Sequence, residues 1–312
     1  MRKKGQKKGA VLLNRILAFA LVILTCEFSL CSKGYSHDQE YAQDSVRETI
    51  DPEIIQIDTF EALSKYIENL NLSKRDLVIF DVDMVLTVPR NPIFQIENLK
   101  KFRSQFKAFR SQIPSKYKDL MLLFFVLDSP QQLSDDRMPD LVDFVYEKAH
   151  QLFLSSLLTG RFSNMISAAE WRAFSLASAK YKIYDTDIDR AIYKHFPEHF
   201  GSYPMRSGNL ILTNGEGAGV TKGKLVLTYI KEKRLSLSRV ILIDDRRYNL
   251  VDVHDRLQSI FPHIQFVGID YKGAYKEYPV PPGYKAPTEK RVAKKLKEVH
   301  DHMKDALKDT KF

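Results

Sequence analysis

Cysteine is almost absent from this 312-residue chain, and both of its cysteines, Cys26 and Cys31, fall within the first 32 residues. A disulfide-stapled scaffold is therefore excluded, and the rest of the chain must be held by its core. Tryptophan occurs once, at Trp171, where packing is the expected role. No internal repeat is present, which excludes solenoids and propellers. A net excess of charge is small outside one end. The formal net charge is +9, but the first 32 residues hold six basic side chains against Glu27 alone, a net +5 that leaves only +4 on the rest. A body this mildly basic gives no case for nucleic-acid binding.

A long apolar run is also missing. The basic start is followed by apolar residues 16–26, about the length of a signal-peptide core and short of the ~20 residues of a spanning helix. Residues 1–32 are expected to be a signal peptide or, if Phe28 to Cys31 extend the run past Glu27, an N-terminal anchor. Thr25 and Leu30 are poor residues to precede a lipid-modified cysteine. The expectation is an exported protein, periplasmic or secreted, meeting a membrane only through an uncleaved N-terminal segment. Residues 33–52 are polar and mixed in charge, and read as a linker.

What is present is globular: 44% hydrophobic and 28% charged residues, in a chain long enough to bury a sizeable core. Its most informative stretch is residues 77–87, where Leu77, Val78, Ile79 and Phe80 run into Asp81 and Asp83. A continuous apolar run of this kind reads as a strand buried on both faces. Further strands are expected at residues 54–57, 152–158, 209–213, 239–243 and 265–269. Helices are expected between them, including one from Leu99 to Ile113 and one around residues 188–195. Alternating strands and helices imply an α/β fold with a parallel sheet and right-handed crossovers.

The distance from Asp83 to the second of these strands is about twice what a strand–helix–strand unit needs. The excess, about residues 92–139, predicts a small helical cap over the sheet edge where Asp81 emerges. The glycine-spaced loop after Thr213 fits neither a dinucleotide-binding turn nor a P-loop. Residues 53–287 form the expected core with its cap, and residues 288–312 a basic amphipathic helix, docked and solvated on its outer side.

In a parallel sheet all forward strands deliver their last residues to one edge. That edge should gather Asp81 and Asp83, Thr159, Lys222, and the pair Asp244 and Asp245. So many carboxylates converging in one place are unstable unless a cation fills the pocket. Hard oxygen ligands suit Mg²⁺, which shares its remaining positions with water and substrate phosphate. A hydroxyl and an ammonium at the same edge suit phosphoryl oxygens.

Asp81-Val82-Asp83-Met84-Val85-Leu86-Thr87 resembles the first motif of the haloacid dehalogenase (HAD) superfamily. Leu157-Leu158-Thr159-Gly160-Arg161 resembles its second motif, Lys222-Gly223 its third, and Ile243-Asp244-Asp245 with Asn249 its fourth. The layout from residue 54 to residue 272 is most similar to a group of mostly uncharacterised, exported HAD-like proteins of Gram-negative bacteria. The resemblance implies a Rossmann-like core, Mg²⁺, and a phosphatase of a small phosphomonoester acting through an aspartyl-phosphate. It implies Asp81 as nucleophile and metal ligand, Asp83 as acid/base with its backbone carbonyl on the metal, and Thr159 and Gly160 on phosphate. Lys222 would pair phosphate with Asp81, and Asp245 would be the further metal ligand with Asp244 as its alternate or outer partner. Met84 departs from the pattern by placing a bulky apolar group beside the acids. The alternative from another class is a catalytically silent HAD-like module that binds metal or a protein partner.

Overall fold

A computed structural model describes residues 53–129, 131–161, 167–183, 189–215, 219–276 and 285–308. The expected signal peptide or anchor and the linker lie outside them. Among the described residues no helix is long and apolar enough to cross a membrane.

The chain opens with β1 (Ile54–Ile57) and α1 (Phe60–Asn69), which Thr59 caps by accepting from the Ala62 N–H. Next come β2 (Asp76–Asp81) and the short β3 (Thr87–Pro89). The insertion then brings α2 (Ile96–Lys101), α3 (Arg103–Ser111), α4 (Lys118–Leu127) and β4 (Gln131–Leu133). The core resumes with α5 (Met138–Lys148), β5 (His150–Ser155), α6 (Ala168–Ser178), β6 (Arg190–Ile192), β7 (Met205–Ser207) and β8 (Leu210–Leu212). It closes with α7 (Lys222–Glu232), β9 (Arg239–Asp244), α8 (Arg247–Ile260), β10 (Gln265–Tyr271), α9 (Gly273–Lys276) and α10 (Glu289–Lys308).

Eight strands form one sheet in the order β1-β10-β9-β2-β5-β8-β7-β6. The six strands from β1 to β8 in that order are parallel, and β7 and β6 add an antiparallel edge. The architecture is therefore α/β and Rossmann-like, with a mostly parallel sheet. Alternate residues of β2 serve opposite faces. Val78 and Phe80 pack with Ile241, Ile243 and Phe153 beneath α1, α5, α6 and α10. Leu77 and Ile79 pack with Leu152, Leu154, Val240 and Leu242 beneath α7 and α8. Burial of each such side chain contributes roughly 1.5–3 kcal/mol, which is why β2 reads as an unbroken apolar run.

The insertion is helical, as expected, but it is tied into the core. β3 pairs antiparallel with β4, and Phe94 and Phe109 pack on Phe125 with ring centroids 5.2 and 5.7 Å away. Helix α10 packs on α4 and α3, and its Lys295 lies 3.1 Å from Asp128. The start of α4 reaches the sheet's carboxyl edge, where Asp119 meets His199 at 2.8 Å.

Three sequence expectations need correction. The single helix from Leu99 to Ile113 is two helices, α2 and α3, because the backbone breaks at Phe102; the three- and four-residue steps continue across the break. The helix expected around residues 188–195 is replaced over 190–192 by the edge strand β6. There Arg190 and Ile192 face outward and Ala191 and Tyr193 inward, a period of two. The strand expected over 152–158 ends at Ser155, and Leu157 and Leu158 are buried in the loop beyond it.

Candidate metal centre

From β2 the chain steps through β5 to β8 on one side, and from β9 to β10 on the other. Strands β2 and β9 therefore flank the point where the winding reverses, and open α/β sheets bind ligands in the crevice beyond the carboxyl ends there. Asp81 is the last residue of β2 and Asp244 the last of β9, with Asp245 next. One carboxylate oxygen from each of Asp81, Asp244 and Asp245 lies within 4.8 Å of the others, and all three residues are buried.

Lys222 joins them. Its Nζ is 2.8 Å from Asp81 Oδ1 and 2.7 Å from Asp244 Oδ2. Local sequence explains how it gets there. Thr221 caps α7 through the Lys224 N–H, which fixes where the helix begins. Gly223 then lets that first turn press against α8: its N–H donates to Asp252 Oδ2 at 2.8 Å, and a Cβ would lie 2.8 Å from the Asp252 carbonyl oxygen. A side chain at 223 would push Lys222 off its partners.

The two neighbouring acids of β9 have different surroundings. Asp244 is saturated: Oδ1 accepts from the Arg246 N–H at 2.9 Å and from Asn249 at 3.0 Å, and Oδ2 accepts from Lys222. Asp245 accepts from the Tyr275 hydroxyl on Oδ2, while its Oδ1 is buried with no hydrogen-bond partner among the described residues. An unpaired buried carboxylate oxygen is costly, and in a residue clustered with Asp81 and Asp244 it could serve as a metal ligand. Both oxygens of Asp244 are thus engaged, one of them by Lys222, whereas Asp245 keeps one oxygen unpaired among the described residues.

The electrostatics agree. Burial pushes the Asp81 carboxyl well above its ordinary range; Lys222 pulls it back, and Asp244, Asp245 and Asp83 push it further up. Burial likewise raises Asp245 to about 6 despite the Arg246 charge. Burial alone would lower Lys222, but Asp244 and Asp81 outweigh it and hold the ammonium charged. Three buried carboxylates against one lysine leave a deficit of positive charge that a metal ion would fill. Lys222 is 3% exposed, and α8 is capped at Arg246.

The other expected residues are placed differently. Asp83 is buried two residues beyond Asp81, but its carboxylate turns to Arg172, whose Nη2 lies 2.9 Å from both of its oxygens. Thr159 is buried in a separate network, with Oγ1 2.7 Å from the Tyr203 carbonyl and 2.9 Å from Asn214 Oδ1. The Gly160 carbonyl accepts from the Ala168 N–H and so anchors the start of α6. Arg161 is exposed and lies 3.6 Å from Glu170. Met84 has φ +65° and is buried with Val88, Ile96 and Ala274, with Tyr275 packed against them. Its side chain therefore packs beside the residue that holds Asp245.

Sequence reasoning missed two functional neighbours. Arg172 was visible as a charged residue among the core-facing positions Ala168, Ala169, Trp171 and Leu176 of α6, all of them buried. Tyr275 left no such signal, since it lies in the four-residue helix α9, too short to show an apolar period.

No curated protein and no solved structure matches the chain. A family model spans residues 56–309, and by that match the chain belongs to the family described as Protein of unknown function (DUF2608).

Proposed function

We propose that the protein is a Mg²⁺-dependent phosphatase of small phosphomonoesters, of the HAD type that its four motifs resemble. The observation that carries this reading is the buried cluster of Asp81, Asp244 and Asp245, in which one Asp245 oxygen is unpaired among the described residues and Lys222 bridges Asp81 and Asp244. Hard carboxylate oxygens match Mg²⁺, which prefers few protein ligands and takes water and phosphate in its remaining positions. When bound, Mg²⁺ would offset the repulsion between Asp81 and phosphate and polarise the phosphoryl group.

The chain's own residues do the rest. Asp81 Oδ1 is engaged by Lys222 and by the Val82 N–H at 2.8 Å, so Oδ2 is the attacking oxygen. A bond forms from Oδ2 to phosphorus as the bond to the leaving oxygen breaks, and Asp83 gives that oxygen a proton. Water then attacks the aspartyl-phosphate and yields a proton to Asp83. Inorganic phosphate departs and Asp81 is restored. Lys222 holds Asp81 in line and compensates charge on the phosphoryl oxygens. Thr159 and Gly160 would bind phosphate if the Asn214 network opens to it.

The reading is tested with a panel of phosphomonoesters, with Mg²⁺ and with chelator, on wild type and Asp81→Asn. Turnover that needs both Mg²⁺ and Asp81 supports it. The rival, a metal-binding module without turnover, is favoured by the engagement of the Thr159 hydroxyl with the Tyr203 carbonyl and Asn214. That rival predicts Mg²⁺ binding and no phosphate release from any ester.

A further inference from the structure

Asp83 lies two residues from Asp81 and is 4% exposed, yet it does not join the cluster formed by Asp81, Asp244 and Asp245. Arg172, fully buried, places Nη2 2.9 Å from each oxygen of the Asp83 carboxylate. Helix α6 is well fixed for this task. Ser167 and Glu170 form a reciprocal capping box, and the Ala168 N–H donates to the Gly160 carbonyl at 2.9 Å. Trp171 packs next to Arg172, with the guanidinium 5.5 Å from its ring centroid. The Asp83 backbone is fixed as well: the Met84 N–H donates to the Thr87 carbonyl at 2.8 Å, closing a tight turn just after it.

We propose that Arg172 is a positioning residue that keeps the Asp83 carboxylate out of the metal centre, so that Asp83 does not become an additional metal ligand. The physical ground is competition. A buried carboxylate beside a divalent cation is drawn onto it unless another cation of comparable pull holds it elsewhere. A guanidinium contacting both oxygens supplies that pull with fixed geometry. Two aspartates one residue apart on the same turn thereby receive different work. The inference rests on the metal-dependent phosphatase reading for its consequence, but its first readout is metal affinity and needs no turnover.

The test is calorimetric titration of Mg²⁺ into wild type, Arg172→Met, Arg172→Lys, Asp83→Asn and the Asp83→Asn/Arg172→Met double variant, each checked for folding by circular dichroism. With Arg172 replaced by methionine, Asp83 is free to reach the cation. Mg²⁺ binding should tighten about tenfold, the scale of coupling between contacting charged residues. The gain should vanish in the double variant, where residue 83 has no charge to offer. Arg172→Lys should fall between wild type and Arg172→Met, because an ammonium pairs with Asp83 but lacks the guanidinium's fixed geometry.

In the phosphatase assay, Arg172→Met should lower kcat about tenfold or more with little change in KM, and should not slow Asp83→Asn further. Unchanged or weaker Mg²⁺ binding in folded Arg172→Met, or tightening that persists in the double variant, overturns the proposal. If Arg172→Met does not fold, Arg172→Gln carries the same expectation and the same refutation. Absence of turnover in wild type would remove the phosphatase reading while leaving the affinity result to decide the role of Arg172.

Discussion

Lys222 and Asp81 meet at 2.8 Å, each less than 5% exposed, although one begins a helix and the other ends a strand in a distant part of the chain. The contact exists because α7 lies over the sheet face that Asp81 shares with Leu77 and Ile79. It exists too because Gly223 allows α7 to close on α8.

Removing the ammonium leaves Asp81 and Asp244 buried and uncompensated. Lys222→Met should cost about 3–5 kcal/mol, the usual scale for breaking a buried ion pair from one side. Urea unfolding measures this, and saturating Mg²⁺ should restore part of the loss by supplying positive charge.

Gly223→Ala should produce a milder form of the same defect. Its Cβ would lie 2.6 Å from Asp252 Oδ2 and 2.8 Å from the Asp252 carbonyl oxygen, so backbone must move. We expect about 1–3 kcal/mol of destabilisation. Turnover should fall as well, because Lys222 is the adjoining residue.

Asp245 gives the pH prediction. Its carboxyl is raised by burial to about 6 from an ordinary value of 3.8, so the folded state holds its proton more tightly than the unfolded chain. The stability this provides is fully present below about pH 4 and is lost as pH rises through about 6, to a total of roughly 3 kcal/mol. Asp245→Asn should remove that loss, making the metal-free protein more stable than wild type at pH 7. It should also abolish stabilisation by Mg²⁺. Denaturant midpoints at pH 5 and pH 7.5, with and without Mg²⁺, check both halves.

Met84 combines φ +65° with burial. A β-branched residue is far less tolerant of that backbone. Met84→Val should therefore destabilise by about 2 kcal/mol or more, and should disturb the Tyr275 contact to Asp245.

Much of this arrangement was legible in the sequence, for a physical reason. Strands buried on both faces, such as β2 and β9, leave unbroken apolar runs, and a parallel sheet sends their ends to one edge. Asp81, Lys222, Asp244 and Asp245 could thus be gathered without knowing a contact. Short edge strands leave weaker traces: β6, with Ile192 exposed, looked helical. The difference between β9's two acids, one engaged by Lys222 and one with an unpaired oxygen, depends on Asn249, the Arg246 N–H and Tyr275, which only the folded geometry brings together. Likewise, Arg172 reaches Asp83 across 89 residues, and no local pattern pairs them.

In the proposed phosphatase, Asp81 is a nucleophile served by a metal. The most direct measurement is mass spectrometry of the protein acid-quenched during turnover of a phosphomonoester, read on the peptide that contains Asp81. We predict one phosphoryl group on Asp81 when Mg²⁺ is present, and none with chelator or in Asp81→Asn. Phosphate release with no adduct, or with an adduct on a different residue, would contradict it.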